Sequence, residues 1–469
     1  MFFNQEYGYS LDDVYLEPGY SDIVSRRDVS LSPIDSLPPV NGNHPLIASN
    51  MNALAGKRVA ETMWRYGGLT ILPQDMSISK IESILTHIDE AHSVYDTGIW
   101  ADIESEGWQL SSLMEKKHHG ILLIRSQGEY VGYVMREDIS KISPHQGVRS
   151  ILRSKDMIDI SDLGYHPTLS DVYTLLGDEY ALPIKTSDGI YVVSKDMLAL
   201  SAITAPSLHR GITVAVGINQ SMDRVDALIG MGVNSIVLDT AHGHQAKMID
   251  RIKSIRQDHP NLTIIAGNVC TAQGAEDLVT AGANILKVNV GPGAMCTTRL
   301  QTGFGSPTFT AVMECSQAVQ DEAFVWADGG VRYPRDVSIY LAAGASRVVV
   351  GTAFVGCYES PPSIETDAQG SYKRNFGMAS HKAVSDRVQD TALEKAIKSL
   401  YQEGISSSKI YLSEGGSLIH ILGRYITGLQ SALSYAGAKD IRLFQRRVEV
   451  RLQTPGGYHE GTPHGKVRL

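Results

Sequence analysis

The sequence predicts an α/β fold: a parallel (β/α)8 TIM barrel with a smaller domain inserted into it. Three observations carry this reading. Short apolar runs, each followed by a segment of helical period, recur eight times along the chain. The runs end in glycine and small polar residues, which suits loops leaving the C-terminal ends of buried parallel strands. The alternation breaks once, between the second and third runs, over residues 93–205.

The first run is PLIASNM (45–51) and the second GGLTILPQ (67–74). After the break come ITVAVGI (212–218), SIVLDTAH (235–242), TIIAGNV (263–269), ILKVNVG (285–291), FVWADGG (324–330) and RVVVGTAF (347–354). Residues 1–92 and 206–469 are therefore expected to build one barrel. Inside the break, HHGILLIRSQGEYVGYVMREDI (118–139) is echoed by EYALPIKTSDGIYVVSKDMLAL (179–200). Each stretch reads as strand, turn, strand and helix start, so the insert is expected to fold by itself from two similar halves. After the eighth run, a polar, glycine-containing stretch at about 360–416 precedes the next helix (417–437) and reads as a lid.

Composition narrows the function. The chain has 469 residues, 43% of them hydrophobic, ample for one large and one small core. Against 42 basic residues stand 51 acidic ones, a net charge of −9, and no Lys/Arg stripe forms, so nucleic acid is not an expected partner. The four cysteines, Cys270, Cys296, Cys315 and Cys357, lack paired or metal-like spacing and suit a reducing cytoplasm. MFFNQEYGYSLDD has no basic or apolar leader pattern, and no apolar run approaches a membrane span, so neither a signal peptide nor a membrane role is expected.

The most informative stretch is GPGAMCTTR (291–299), which leaves the sixth run and is followed by TGFG (302–305). Glycines permit tight turns and close approach of the backbone to a ligand, and Thr297 and Thr298 surround Cys296 with hydroxyls instead of apolar packing. Such a cysteine is a candidate nucleophile. Because a free thiol is only a few per cent ionised near neutrality, the site must promote the thiolate or relay its proton, and Thr298 is the nearest candidate for the relay.

These motifs, together with LDDVYLEPG (11–19), IASNM (47–51), LDTAHGH (238–244), AGNV (266–269), ADGGVR (327–332), VGTAF (350–354) and GMAS (377–380), resemble the IMP dehydrogenase/GMP reductase family over nearly the whole length. The family's loop reads GPGSxCTTR followed by TGxG. The resemblance implies a covalent purine thioimidate on Cys296, with Thr298 handling the attacking or leaving group. It also implies GMP or IMP as substrate, NADPH or NAD as cofactor, and a K+ site at the carbonyls of Gly291, Gly293 and Cys296. For the insert it implies a pair of CBS repeats binding an adenine or other purine nucleotide, and for the assembly a homotetramer or octamer, to whose cation site PGGYHEG (455–461) of a neighbour could contribute.

Further roles follow residue by residue. Asp328 can accept both ribose hydroxyls, while Gly329, Gly330, Gly351 and Thr352 offer N–H groups and a hydroxyl to a 5′-phosphate. Ser49, Met51, Asn268, Gly293, Gly377, Met378 and Glu403 complete the expected substrate set. Asp239, Thr240, Ala241, Asn289, Gly291, Ser434 and Tyr435 are the expected cofactor set. The family's phosphate serine is Ala294 here, and its tyrosine before GM is replaced by Asn375 and Phe376, so phosphate binding must lean on the backbone. His242 and His244, with His459 and His464, could suggest a metal, but HGH belongs to the family's own loop and hydride transfer needs no divalent ion.

Two activities share the thioimidate and differ at C2. A dehydrogenase must hydrolyse the adduct with an Arg-Tyr pair in its lid; the match here, Asp386-Arg387-Val388, lacks the tyrosine. SALSYAGA (431–438) and SNM (49–51) resemble the reductases' STCTYVGA and ANM. Against this, the reductases' glutamate after GM is His381 here, and their lysine after the second strand falls at Pro73-Gln74. The sequence therefore favours an NADPH-dependent GMP reductase, with an NAD-dependent IMP dehydrogenase as the alternative and a purine sensor without turnover as a third reading.

Overall fold

The computed structural model describes residues 7–35, 42–153, 157–161, 167–207, 209–377, 391–400, 404–405, 407–412 and 416–463. Eight parallel strands close into a barrel: Leu46–Ala48, Leu69–Leu72, Ile212–Val216, Ser235–Asp239, Thr263–Val269, Ile285–Val288, Phe324–Asp328 and Arg347–Val350. The eighth pairs with the first and the second with the third, so no strand edge remains open. All eight fall within the apolar runs. Their β-branched and aliphatic residues are buried on both faces, one face filling the barrel and the other packing on the helices. Ile47, Leu69, Ile71, Ala215, Val237, Ile265, Ile285, Trp326 and Val349 fill the interior.

The two ends of the barrel differ in chemistry. At the N-terminal end, Asp35 is fully buried and accepts from Trp326 Nε1 (2.8 Å), Ser346 Oγ (3.1 Å) and Arg347 Nε (2.8 Å). These bonds plug the bottom. The C-terminal end carries the glycine- and cysteine-bearing loops.

Between the second and third barrel strands the chain builds two three-stranded sheets of the same element order. The first has strands Ile99–Asp102, Ile121–Ser126 and Glu129–Met135 with helices Gly107–Met114 and Arg136–Ile139; the second has strands Ile158–Asp159, Ala181–Lys185 and Ile190–Ser194 with helices Leu169–Leu176 and Lys195–Ser201. In each half a strand pairs parallel with the next, which then turns back antiparallel. Ile121, Leu123, Tyr133, Ala181 and Val192 form a small core between the halves.

The insert is fastened to the barrel by buried ions. Both of its ends meet the last turn of the helix Lys57–Arg65: Arg65 Nε donates to His92 O (3.2 Å) and Ser207 N to Trp64 O (2.9 Å). Lys117 of the insert bonds Glu61 (3.0 Å) and Asp96 (2.6 Å), and Arg65 bonds the same two carboxylates at 2.5 and 3.2 Å. Next to them His118 bonds Glu359 (3.1 Å), and Arg136 donates to the Tyr358 hydroxyl (2.5 Å) while stacking over its ring.

Two regions hold strands that the sequence reading does not anticipate. The stretch at 360–416 contains a three-stranded antiparallel sheet, Ile364–Asp367, Gly370–Asn375 and Ser408–Tyr411, and a helix, Ala392–Leu400. Its strands are half exposed and carry Lys, Arg and Glu, so the apolar run that marks a buried strand is missing. Near the chain's two ends, Val14–Glu17 pairs antiparallel with Glu449–Leu452, a contact between distant segments that local pattern does not encode. The last long helix spans Leu418–Tyr435. No helix among the described residues is long and apolar enough to cross a membrane.

Candidate active site

The loop after the sixth strand holds Cys296 half-buried at the barrel mouth, its turn closed by Cys296 N donating to Gly293 O at 2.9 Å. Cys296 Sγ lies 3.2 Å from Thr298 Oγ1, and Thr298, which opens the short helix Thr298–Thr302, is itself buried. The nucleophile therefore has its expected hydroxyl neighbour in direct contact. The other three cysteines are different in kind. Burial pushes the Cys270 thiol up, Cys315 up to about 12 and Cys357 higher still, which keeps them protonated and unreactive.

The other loops converge on the same mouth. A Cβ on Gly329 would lie 3.5 Å from Gly293 N, so the turns after strands six and seven touch. Gly329 and Gly330 adopt positive φ (82° and 76°), which turns the chain back over the strand end as a side chain would resist doing. Gly351 packs where a Cβ would come within 2.9 Å of Met51 Sδ and 3.8 Å of Ser49 Cβ, placing those three together at the junction of strands eight and one. Asn375 donates to Thr352 Oγ1 at 3.3 Å, and Gly377 N donates to Ile405 O, whose own N–H bonds Met295 O at 2.9 Å. The sheet after strand eight thus backs both the expected phosphate end and the cysteine loop.

Across the mouth a lysine joins the remaining groups. Lys287, buried in the sixth strand, brings Nζ within 2.8 Å of Asp239, 2.7 Å of Asp328 and 3.2 Å of Asn268 Oδ1. Burial alone would lower its pKa, but the two carboxylates outweigh that and raise it, so the ammonium stays charged. Asn268 donates to Asp328 (2.8 Å) and Asn289 O (2.8 Å), and Asn50 donates to Asp239 (2.7 Å). Thr240 bonds Gly267 O through its N–H at 2.9 Å, and Ala241 beside it is exposed at the rim. Asn289, with φ of 118°, donates to Asp328 O at 3.3 Å.

The structure thus gathers Ser49, Met51, Asp239, Thr240, Asn268, Asn289, Gly293, Cys296, Thr298, Asp328, Gly329, Gly330, Gly351, Thr352 and Gly377 around one opening. Among the described contacts Ser434 and Tyr435 share no hydrogen bond with these residues: they close the helix Leu418–Tyr435, and Tyr435 accepts from Arg26 (3.3 Å). Met378, Glu403, His381 and Asp386-Arg387-Val388 lie outside the described residues. Sequence reasoning missed Lys287 and Asn50. The signal for Lys287 was a cation in the middle of an otherwise apolar strand, which only a carboxylate partner makes tolerable.

Groups not present can be tested against these residues. A nicotinamide cofactor is compatible with the exposed Ala241 rim beside an Asp239 already fixed by Lys287 and Asn50. For a monovalent cation, the Gly293 carbonyl accepts from Cys296 N–H at 2.9 Å and keeps a second lone pair that a cation could take. Among the described residues no cluster of three His, Cys, Asp or Glu side chains could hold a metal ion.

The IMP dehydrogenase / GMP reductase domain profile matches residues 8–464. The chain belongs to the IMP dehydrogenase/GMP reductase family of oxidoreductases. Within that family it is 37% identical over 476 residues to a GMP reductase from Mycobacterium tuberculosis, covering 97% of each chain. It is 30% identical over 475 residues to an IMP dehydrogenase from Halalkalibacterium halodurans, covering 98% of this chain and 96% of the relative. A solved structure of a cysteine-to-alanine variant of Trypanosoma brucei GMP reductase in complex with guanosine 5′-monophosphate superposes with a TM-score of 0.67 at 28% identity, over 98% of both chains.

Proposed function

We propose that this chain reduces GMP to IMP and ammonia with NADPH, through a covalent adduct on Cys296. The observation that carries the covalent route is the 3.2 Å contact between Cys296 Sγ and Thr298 Oγ1 in a loop touching the Gly329 turn. The thiol attacks C2 of the purine, and its proton passes by way of Thr298 toward the departing amine. Ammonia leaves, giving the thioimidate. NADPH, when bound, supplies hydride to C2. Collapse of that adduct then releases the thiolate and IMP.

The protein's own residues set the geometry. Asp328 holds the ribose, and the N–H groups of Gly330 and Gly351 with the Thr352 hydroxyl hold the phosphate, while Gly329, whose own N–H goes to Val349 O (3.4 Å), shapes the turn; Asn375 orients that hydroxyl where relatives carry a tyrosine. Lys287 fixes Asp239 on the cofactor side and Asp328 on the ribose side, keeping the two halves of the site at a constant spacing. The full-length likeness to mycobacterial GMP reductases at 37% identity, against 28% to 31% for IMP dehydrogenases, supports the reductase, as do SALSYAGA and the missing tyrosine at Val388. His381 and Pro73-Gln74 favour the dehydrogenase. We read residues 93–205 as a CBS pair that takes a purine nucleotide, in a cytoplasmic homotetramer or octamer, with the carbonyls of Gly291, Gly293 and Cys296 as the site for K+.

Absorbance at the nicotinamide band decides between the two activities. GMP with NADPH should give steady loss of the reduced cofactor, and IMP with NAD little gain. Robust IMP-dependent NADH production with no GMP-dependent NADPH loss overturns the reductase reading.

A further inference from the structure

Tyr340 lies on the helix Pro334–Ala342, behind the mouth of the barrel, and is fully buried. A phenol hydroxyl has one proton to give and two lone pairs to fill. It donates to Gly329 O at 2.9 Å and accepts from Asn289 Nδ2 at 3.3 Å. Burial pushes the phenol's pKa up, so the donor proton is retained at any working pH.

The partners are what make this hydroxyl informative. Asn289 is the last residue before the nucleophile loop, and Thr308 begins the helix Thr308–Val319 that follows it. The loop from 290 to 307, with Cys296 inside it, is therefore tied through its first foot to this oxygen. The same oxygen holds the carbonyl of Gly329, on the turn that faces ribose and phosphate. Gly330 stands against it too, since a Cβ there would lie 3.2 Å from the hydroxyl.

We propose that Tyr340 is a positioning residue for the covalent step, fixing the separation between the Cys296 loop and the Gly329–Gly330 turn. Substrate held by ribose and phosphate presents C2 at a set height, and the thiol must arrive within bonding reach of it. Misplacement by about 1 Å costs on the order of a hundredfold in rate. Affinity, by contrast, depends on groups that Tyr340 does not supply. The inference rests on the covalent reading of Cys296 but is indifferent to whether GMP or IMP is the substrate.

The test is Tyr340→Phe, which keeps the ring and removes the oxygen. Initial rates are measured with whichever nucleotide and cofactor pair the parent turns over, so failure of the reductase reading leaves this test intact. Nucleotide affinity is measured by calorimetry with the same monophosphate. The expected result is a fall in kcat of about tenfold or more with the dissociation constant held within about threefold. A purely structural tyrosine would move affinity and melting together and spare the kcat of the bound complex. A kcat within twofold of the parent's overturns the proposal, as does a loss confined to affinity. Should Tyr340→Phe not melt cooperatively, Asn289→Gly decides alone. It keeps the positive φ of that position, frees the first foot of the loop from the Tyr340 hydroxyl and is expected to lower kcat by at least about threefold at unchanged affinity for the monophosphate; parental kcat overturns the proposal.

Discussion

Lys287 Nζ lies 2.7 Å from Asp328, a cation buried in a strand interior against a carboxylate at the rim of the site. Its second partner is Asp239. Replacing Lys287 by Met would keep the volume and strip both carboxylates of their counter-charge. Breaking such a pair costs about 3–5 kcal/mol, so Lys287→Met should melt well below the parent and turn over at most a hundredth as fast. Parental rates in the folded variant would show that the bridge does not set the site's geometry.

Cys296→Ser is expected to abolish turnover while the monophosphate still binds, because ribose and phosphate contacts come from the turns after strands seven and eight. The rate should fall below a hundredth of the parent's, about 2.7 kcal/mol in transition-state terms. Steady-state activity above that level means the covalent adduct is not the route.

The ion cluster at the root of the insert predicts an unusual ordering of stabilities. Joining residue 92 to 206 through a short linker removes Lys117 and Asp96 together, leaving Arg65 and Glu61 as a balanced pair. Lys117→Met in the whole chain leaves two buried carboxylates facing one arginine. The single substitution should therefore lower Tm more than deletion of the entire insert. The linker-closed variant should also keep catalysis and lose any response to ATP. If it melts cooperatively yet is inactive, the insert contributes to the site.

His44 should make the barrel acid-sensitive. Burial, reinforced by Arg347, lowers its pKa to about 3, and its Nδ1 accepts from Leu46 N–H, so the ring is neutral when folded. In the unfolded chain it takes a proton near its ordinary value of about 6.5. Between those values the unfolded state binds more protons, so stability falls as pH drops from about 6.5 toward 3. In a comparison of Tm against pH, His44→Gln should lose less stability over that window than the parent. Parallel curves would show that another group governs the acid limb.

Much of this could be read from the chain. The eight strands were legible because burial on both faces leaves no room for polar residues, and the cysteine loop because glycines and threonines cluster there against the apolar background. The sheet after strand eight was not, since strands such as Gly370–Asn375 alternate exposed Arg374 with buried Tyr372 and Lys373 and never form an apolar run. Lys287 vanished inside the run ILKVNV, and Tyr340 read as one more aromatic on a helix. Their roles depend on partners far along the chain: Tyr340 and Asn289 are 51 residues apart, Asn268 and Asp328 60. Local pattern reports burial well and long-range polar pairing poorly.

The insert leans on one side of the barrel only. Its Lys117, His118 and Arg136 press on the first helix and on Tyr358–Glu359, and His420 at the start of the helix Leu418–Tyr435 meets Asp196 at 2.6 Å. The carbonyls of Tyr358 and Ser360 hold Lys373, whose strand ends at Asn375 against Thr352. All of this borders strands eight and one, the proposed phosphate end, while the proposed cofactor rim at strand four receives no comparable contact among the described residues. Any change in the insert should thus have a lopsided kinetic signature, altering saturation by the nucleotide and sparing that by the cofactor. A nucleoside stripped of its 5′-phosphate would be blind to it.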